Sequence, residues 1–260
     1  MPVLASCAAS PSAPPTPESG EHIRLVLDDV TLPADGSAAS GVAVDFNGDG
    51  ILDNVIGDVI AALVGLGGEA RDDASVRSLI GSGGVPSVID VFGAGSDVVG
   101  IEYQGRAGDA ASVLRATADG SGGYATDGVL PASLTVLIPV LQDADAIAMQ
   151  LDYAAIALTP TGSGGYDVVL QGLVEPDPLV TAGCAALFQM IAADPAAHAD
   201  LVSLLDTNHD GTLSPDECTS YMRNLVGPDV TAGSNRTPYT SLGIALHVLA
   251  PPSVPPSGQP

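Results

Sequence analysis

The chain has 260 residues, and 7 Lys and Arg against 31 Asp and Glu leave a formal net charge of −24; that sign favours cations and makes phosphate backbones and anionic membrane surfaces poor partners. Gly (31) and Pro (21) make the chain turn-rich, but an apolar content of 46% belongs to a sequence that folds around a core. Trp is absent and aromatic residues are only 3%, which argues against stacking platforms for bases or sugars, and no apolar run reaches the ~18 residues that span a bilayer.

Residues 1–20, rich in Ala, Ser and Pro, offer little to bury and read as a tether. Within them Leu4-Ala5-Ser6-Cys7 resembles a bacterial lipobox, in which the Cys becomes the lipidated first residue of the mature protein. That resemblance makes Cys7 a lipid anchor and the only contact with a membrane; the alternative is an ordinary disordered tail. Residues 251–260 read as a second Pro-rich tail.

Between the tails, residues 21–175 read as a β-rich domain. His22–Val30 is a first strand, with Ile23, Leu25 and Leu27 on one face, and Val42–Phe46 is a second apolar run. Asp53–Val64 has helical character, with Asp53 or Asn54 available as N-cap, and Arg71–Ile80 is a further short helix. Short β-branched runs then follow at Val88–Phe92, Val98–Tyr103, Ser133–Val140, Ala146–Leu158 and Tyr166–Leu173, separated by Gly, Asp and Ser turns. Gly-Ser-Gly-Gly-Tyr occurs at both 120–124 and 162–166, which reads as one hairpin solution used twice, because Gly supplies the positive φ of tight turns. This many short strands predict an antiparallel β-sandwich.

Residues 176–230 change period. Cys184, Leu187, Phe188 and Ile191 recur at helical spacing. Asp194-Pro195 reads as the N-cap and first residue of a second helix, with Leu201, Leu204 and Leu205 on its buried side. Ser214-Pro215 repeats that punctuation before a third helix, whose Cys218, Tyr221, Met222 and Leu225 share a face. Residues 231–250 return as a strand, centred on Ser241–Leu249. With Cys7 assigned to the lipid, Cys184 and Cys218 are an even pair, readable as a disulfide or as two buried thiols.

Two loops carry the chemistry. Asp206-Thr207-Asn208-His209-Asp210-Gly211-Thr212-Leu213-Ser214-Pro215-Asp216-Glu217 meets the pattern D-x-[DN]-x-[DN]-G-x₅-E at every specified position and resembles the EF-hand calcium loop. Ca²⁺ is a hard cation that takes six to eight oxygens at about 2.3–2.6 Å. The resemblance assigns side-chain ligands to Asp206, Asn208 and Asp210, a backbone carbonyl to Thr212, a hydroxyl or bridging water to Ser214 and a bidentate carboxylate to Glu217. The second loop, Asp45-Phe46-Asn47-Gly48-Asp49-Gly50-Ile51-Leu52-Asp53, has Ile56 where an EF-hand has its Glu. It is similar instead to the nine-residue calcium loops of FG-GAP and thrombospondin type 3 proteins. That similarity implies ligation by Asp45, Asn47, Asp49, the Ile51 carbonyl and Asp53.

No G-x-S-x-G, H-E-x-x-H, P-loop or G-x-G-x-x-G is present, and His22, His198, His209 and His247 are scattered. The expectation is therefore an α+β protein: an antiparallel β-sandwich-like domain with a helical EF-hand insert before its last strand. Its expected role is non-enzymatic calcium binding in a structural or adhesion-type protein of the bacterial cell envelope, lipid-anchored or secreted. The partners this admits are calcium ions and another envelope protein, with no nucleic acid. The alternative is a calcium-dependent hydrolase whose site assembles from residues distant in sequence. A third reading, a calcium sensor that opens a groove, lacks a visible Met-rich face, since the chain has only 4 Met.

Overall fold

The computed structural model describes residues 21–66, 70–106 and 112–250. Cys7 and both tails lie outside them. The elements run β1 (Glu21–Thr31), α1 (Gly36–Ser40), α2 (Val55–Leu66), α3 (Asp73–Gly81), β2 (Val88–Ala94), β3 (Val98–Gln104), β4 (Val113–Ala118), β5 (Tyr124–Thr126), β6 (Leu130–Ile138), β7 (Ile147–Pro160), β8 (Gly165–Val174), α4 (Pro176–Ala193), α5 (Ala199–Leu205), α6 (Pro215–Leu225), β9 (Val230–Ala232) and β10 (Thr237–Leu249). The fold is α+β, with every strand pairing antiparallel.

The expected pair of face-packed sheets does not form. Among the described residues all ten strands belong to one sheet, and its pairing returns to its start: β1 pairs with β2 on one side and with β10 on the other. The ring passes through β2, β3, β4, β5, β7, β8 and β10, and β6 shares with β5 the same side of the long β7. Closing the ring satisfies the backbone groups that open edges would leave unpaired. Local alternation looks the same in a sandwich and in a closed barrel, so the sequence did not separate the two.

Alternation decides what fills the ring. Val99, Ile101 and Tyr103 on β3, and Leu242, Ile244, Leu246 and Val248 on β10, are buried at every second position. On β7 the buried set switches from Met149 and Leu151 to Ala154, Ile156 and Leu158, because a bulge between Leu151 and Tyr153 changes the parity. A ring of about eight strands is just wide enough for side chains to fill. The helices cover the outside. Asn54 caps α2 and fixes it to β10, while α4 and α6 pack near the β6–β7 end, against a surface that includes Val140, Leu141 and Met149.

The two Gly-Ser-Gly-Gly-Tyr segments form equivalent hairpins, β4–β5 and β7–β8. Gly123 donates to the Asp119 carboxylate at 2.9 Å and Gly165 to the Thr161 hydroxyl at 3.2 Å, and Tyr124 and Tyr166 both pair with the end of β7. Several local expectations change. Val42–Phe46 forms no strand; only Val44 bridges to Asp53. Asp194-Pro195 opens a turn, with the Asp194 carboxylate accepting from the Ala197 amide at 3.0 Å, and α5 starts only at Ala199. Leu204, expected on the buried side of α5, is 71% exposed. Strands β4, β5 and β9 were not anticipated, being short and weakly alternating.

Candidate metal centre

The segment 206–217 joins α5 to α6. Asp206 ends α5, its amide donating to the Val202 carbonyl at 2.8 Å. Ser214 and Glu217 form a reciprocal capping box at the start of α6, with Pro215 at the first helical position, where its missing N–H costs nothing. A disulfide joins Cys184 on α4 to Cys218, the residue after Glu217, across a Cα separation of 5.9 Å. The closing carboxylate of the loop is thereby anchored on a helix that is covalently tied to its neighbour.

Inside the loop the carboxylates organise the backbone. Asp206 accepts from the amides of Asp210 (3.2 Å) and Gly211 (2.7 Å), Asn208 Oδ1 accepts from Asp210 (2.8 Å), and Asp210 Oδ1 accepts from Thr212 (2.9 Å). Glu217 Oε1 accepts from the amides of Thr207 (2.8 Å) and Asn208 (3.0 Å), and Oε2 from the amide and hydroxyl of Ser214 (3.0 and 2.8 Å). The Ser214 donors, followed by those of Asn208 and Thr207, hold the Glu217 carboxyl down to about 2, and the Thr212 hydroxyl and amide lower that of Asp210. Both groups are therefore anionic across the neutral range. His209 points to solvent at φ 61° and Gly211 sits at φ 82°, so the loop is left-handed at its fourth and sixth positions.

The loop at 45–53, more than 150 residues away, repeats this wiring. Asp45 accepts from Asp49 (3.1 Å) and Gly50 (2.8 Å), Asn47 Oδ1 from Asp49 (2.9 Å) and Asp49 Oδ1 from Ile51 (2.8 Å). Gly48 and Gly50, again the fourth and sixth positions, have φ 77° and 86°. Asp53 at the ninth position plays the part that Glu217 plays at the twelfth. Its carboxylate accepts from the amide of Phe46, the second loop residue, at 2.9 Å, as Glu217 does from Thr207. The shorter closure works because the Val44–Asp53 bridge brings the two ends of the loop together.

One residue near the second loop was not anticipated. Asp229, between α6 and β9, accepts from the amide (2.9 Å) and hydroxyl (2.5 Å) of Ser241 on β10, and the amide of Val55 at the start of α2 donates to that hydroxyl at 2.9 Å. Burial, and beyond it the charges of Asp229, Asp49 and Asp45, raise the Asp53 carboxyl, against the lowering pull of the Phe46 amide. Asp229 is one acid among 31, and no pattern around it signals proximity to residue 53.

The donors at both loops are carboxylates, amide oxygens, hydroxyls and carbonyls, the hard oxygen set that suits Ca²⁺ better than thiophilic metals. Among the described residues no three His, Cys, Asp or Glu side chains converge as a ready metal cage; the loop carboxylates are turned to backbone amides. A bound cation would replace part of those hydrogen bonds, most of all at Glu217, whose two oxygens are fully engaged by loop donors. Searches against family models, curated proteins and solved structures found no match to the chain.

Proposed function

We propose that this is a calcium-binding, non-enzymatic protein of structural or adhesion type, acting in the bacterial cell envelope, with residues 206–217 as an EF-hand loop inserted, with its flanking helices, before the last strand. Asp206, Asn208, Asp210, Thr212, Ser214 and Glu217 hold one Ca²⁺; Asp45, Asn47, Asp49, Ile51 and Asp53 hold a second. One observation carries the reading: two loops far apart in sequence use the same side-chain-to-amide wiring and the same left-handed fourth and sixth positions. An acidic surface turn has no reason to reproduce that arrangement twice. The Asp53 carboxyl, raised first by burial and then by the charges of Asp229, Asp49 and Asp45, adds support, since a divalent cation would offset both effects.

Calcium in this reading works as a structural element. It ties α5 to α6 in one loop and the approach to α2 to the barrel wall in the other, so binding adds to folding free energy. The envelope location rests on the resemblance of residues 4–7 to a lipobox and on the disulfide, which suits an oxidising compartment. No helix among the described residues is long and apolar enough to cross a membrane.

The test is a calorimetric titration of Ca²⁺ into chelator-treated protein beside Glu217→Gln and Asp49→Asn. The wild type is expected to take up two ions and each variant one. A wild type that takes up none overturns the reading and returns attention to the hydrolase alternative.

A further inference from the structure

Methionine is scarce in this chain, yet Met149, Met190 and Met222 converge on one cavity between the barrel end and helices α2, α4, α5 and α6. The cavity encloses about 90 Å³, and no charged side chain lines it. It opens to solvent beside Leu204, which is 71% exposed. An apolar cavity of ~150 Å³ accepts a benzene ring, so a smaller one suits a thinner object, such as a run of methylenes. Thioether side chains suit an irregular, adjustable lining of that kind.

A second depression adjoins the first and shares Leu204, Leu205 and Tyr221 with it. Its remaining lining is polar, with Thr207, Asp216, Glu217, Ser220 and Asn224 but no Lys or Arg. An apolar slot that opens into an acidic, hydroxyl-lined depression matches a molecule with a hydrocarbon chain and a cationic head. A net charge of −24 repels the anionic alternative.

We propose that these adjoining cavities bind a single-chain amphiphile with a cationic head: the alkyl chain enters between α4, α5 and α6, and the ammonium group sits by Asp216. The chain-binding part contains none of the loop oxygens, whereas the head-binding part borders the 206–217 loop at Thr207, Asp216 and Glu217, so the site is tested both with and without Ca²⁺.

The experiment titrates n-octylammonium into the protein by calorimetry at physiological salt, once with saturating Ca²⁺ and once in chelator, with octanol and octanoate as comparators. One saturable site is expected with calcium present, with octanoate at least ~10-fold weaker. Across a series of shorter alkylammonium ions, affinity should rise about fourfold per buried methylene and level off once the cavity is full. Leu201→Phe, which fills the cavity, should weaken octylammonium ~10-fold or more; Leu204→Ser at the exposed mouth gives a second variant should Leu201→Phe fail to fold. Asp216→Asn should weaken octylammonium and leave octanol unchanged. Non-saturating uptake, an affinity that climbs with chain length without limit, or indifference to both cavity variants would mean adsorption of cations to an acidic surface and would overturn the proposal. A protein that binds octylammonium as expected but no Ca²⁺ leaves this site standing and removes only the calcium reading.

Discussion

Asn54 is buried at the first turn of α2, and its amide meets four backbone groups. Oδ1 accepts from Gly57 (3.0 Å) and Gly243 (2.7 Å), while Nδ2 donates to Ala39 (2.9 Å) and Gly243 (3.1 Å). One side chain thus caps a helix, fixes it to β10 and holds α1 in place. A Cβ at position 57 would lie 2.2 Å from Asn54 Nδ2, which is why the next turn carries Gly57. Asn54→Ala strands several buried groups and is expected to lower the unfolding free energy by about 3 kcal/mol in urea titrations. Tyr103 makes a different prediction. Burial raises its phenol to about 12, against the lowering effect of the Ser87 hydroxyl it donates to at 3.1 Å. The folded chain therefore keeps a proton that the unfolded chain loses near pH 10. Stability is complete below pH 10 and should fall by ~2–3 kcal/mol as pH approaches 12. Tyr103→Phe should reduce that alkaline loss without abolishing it, since Tyr166 and Tyr239 are raised in the same direction.

Among the elements, the α4–α6 pair is held by more than packing. The disulfide closes a sequence separation of 34 residues, and Arg223 reaches Asp177 at 3.0 Å on the exposed side. A cross-link of that length contributes about 3–4 kcal/mol by limiting the unfolded chain, whereas the exposed ion pair adds at most about 1 kcal/mol. Replacing Cys184 and Cys218 together by Ser should lower the unfolding free energy by the larger figure, and Asp177→Asn should change it little. A double-Ser variant with unchanged stability would mean that helix packing alone holds the pair. The two candidate metal loops belong to this scale too. Leu213 packs against the core within the segment that joins α5 to α6.

At the scale of the whole molecule, a closed sheet with a filled interior carries a charge of −24. Self-repulsion on that scale opposes compactness, and salt screens it within about 8 Å at physiological ionic strength. Raising NaCl should therefore raise the melting temperature of the chelator-treated protein. On the proposed calcium reading the increment should shrink once Ca²⁺ is present, because bound divalent ions would neutralise carboxylates in both loops. Thermal melts across a salt series with and without Ca²⁺ measure both effects; equal increments in the two series would place the repulsion away from the loops.

Much of this is legible in the sequence. Seven of the ten described strands, the α4 and α6 stripes and the Ser214-Pro215 helix start follow from period and capping chemistry, which act over a few residues. Both loops were recognisable because a rigid spacing of oxygens and left-handed positions is itself local. Other features depended on residues far apart in the chain. Whether the strands form two sheets or one ring is decided by β1 meeting β10 across more than 200 residues. The shared role of Asp53 and Glu217 depends on where each loop's ends are held, and the place of Asp229 beside Asp53 on the return of β10. Three methionines spread over β7, α4 and α6 look incidental in sequence and become one cavity only when the helices dock on the barrel end. Short-range sterics and hydrogen bonding determined the elements and loops from the sequence itself, whereas ring closure, the cavity and the company each carboxylate keeps were decided by burial, which no local stretch of chain can specify alone.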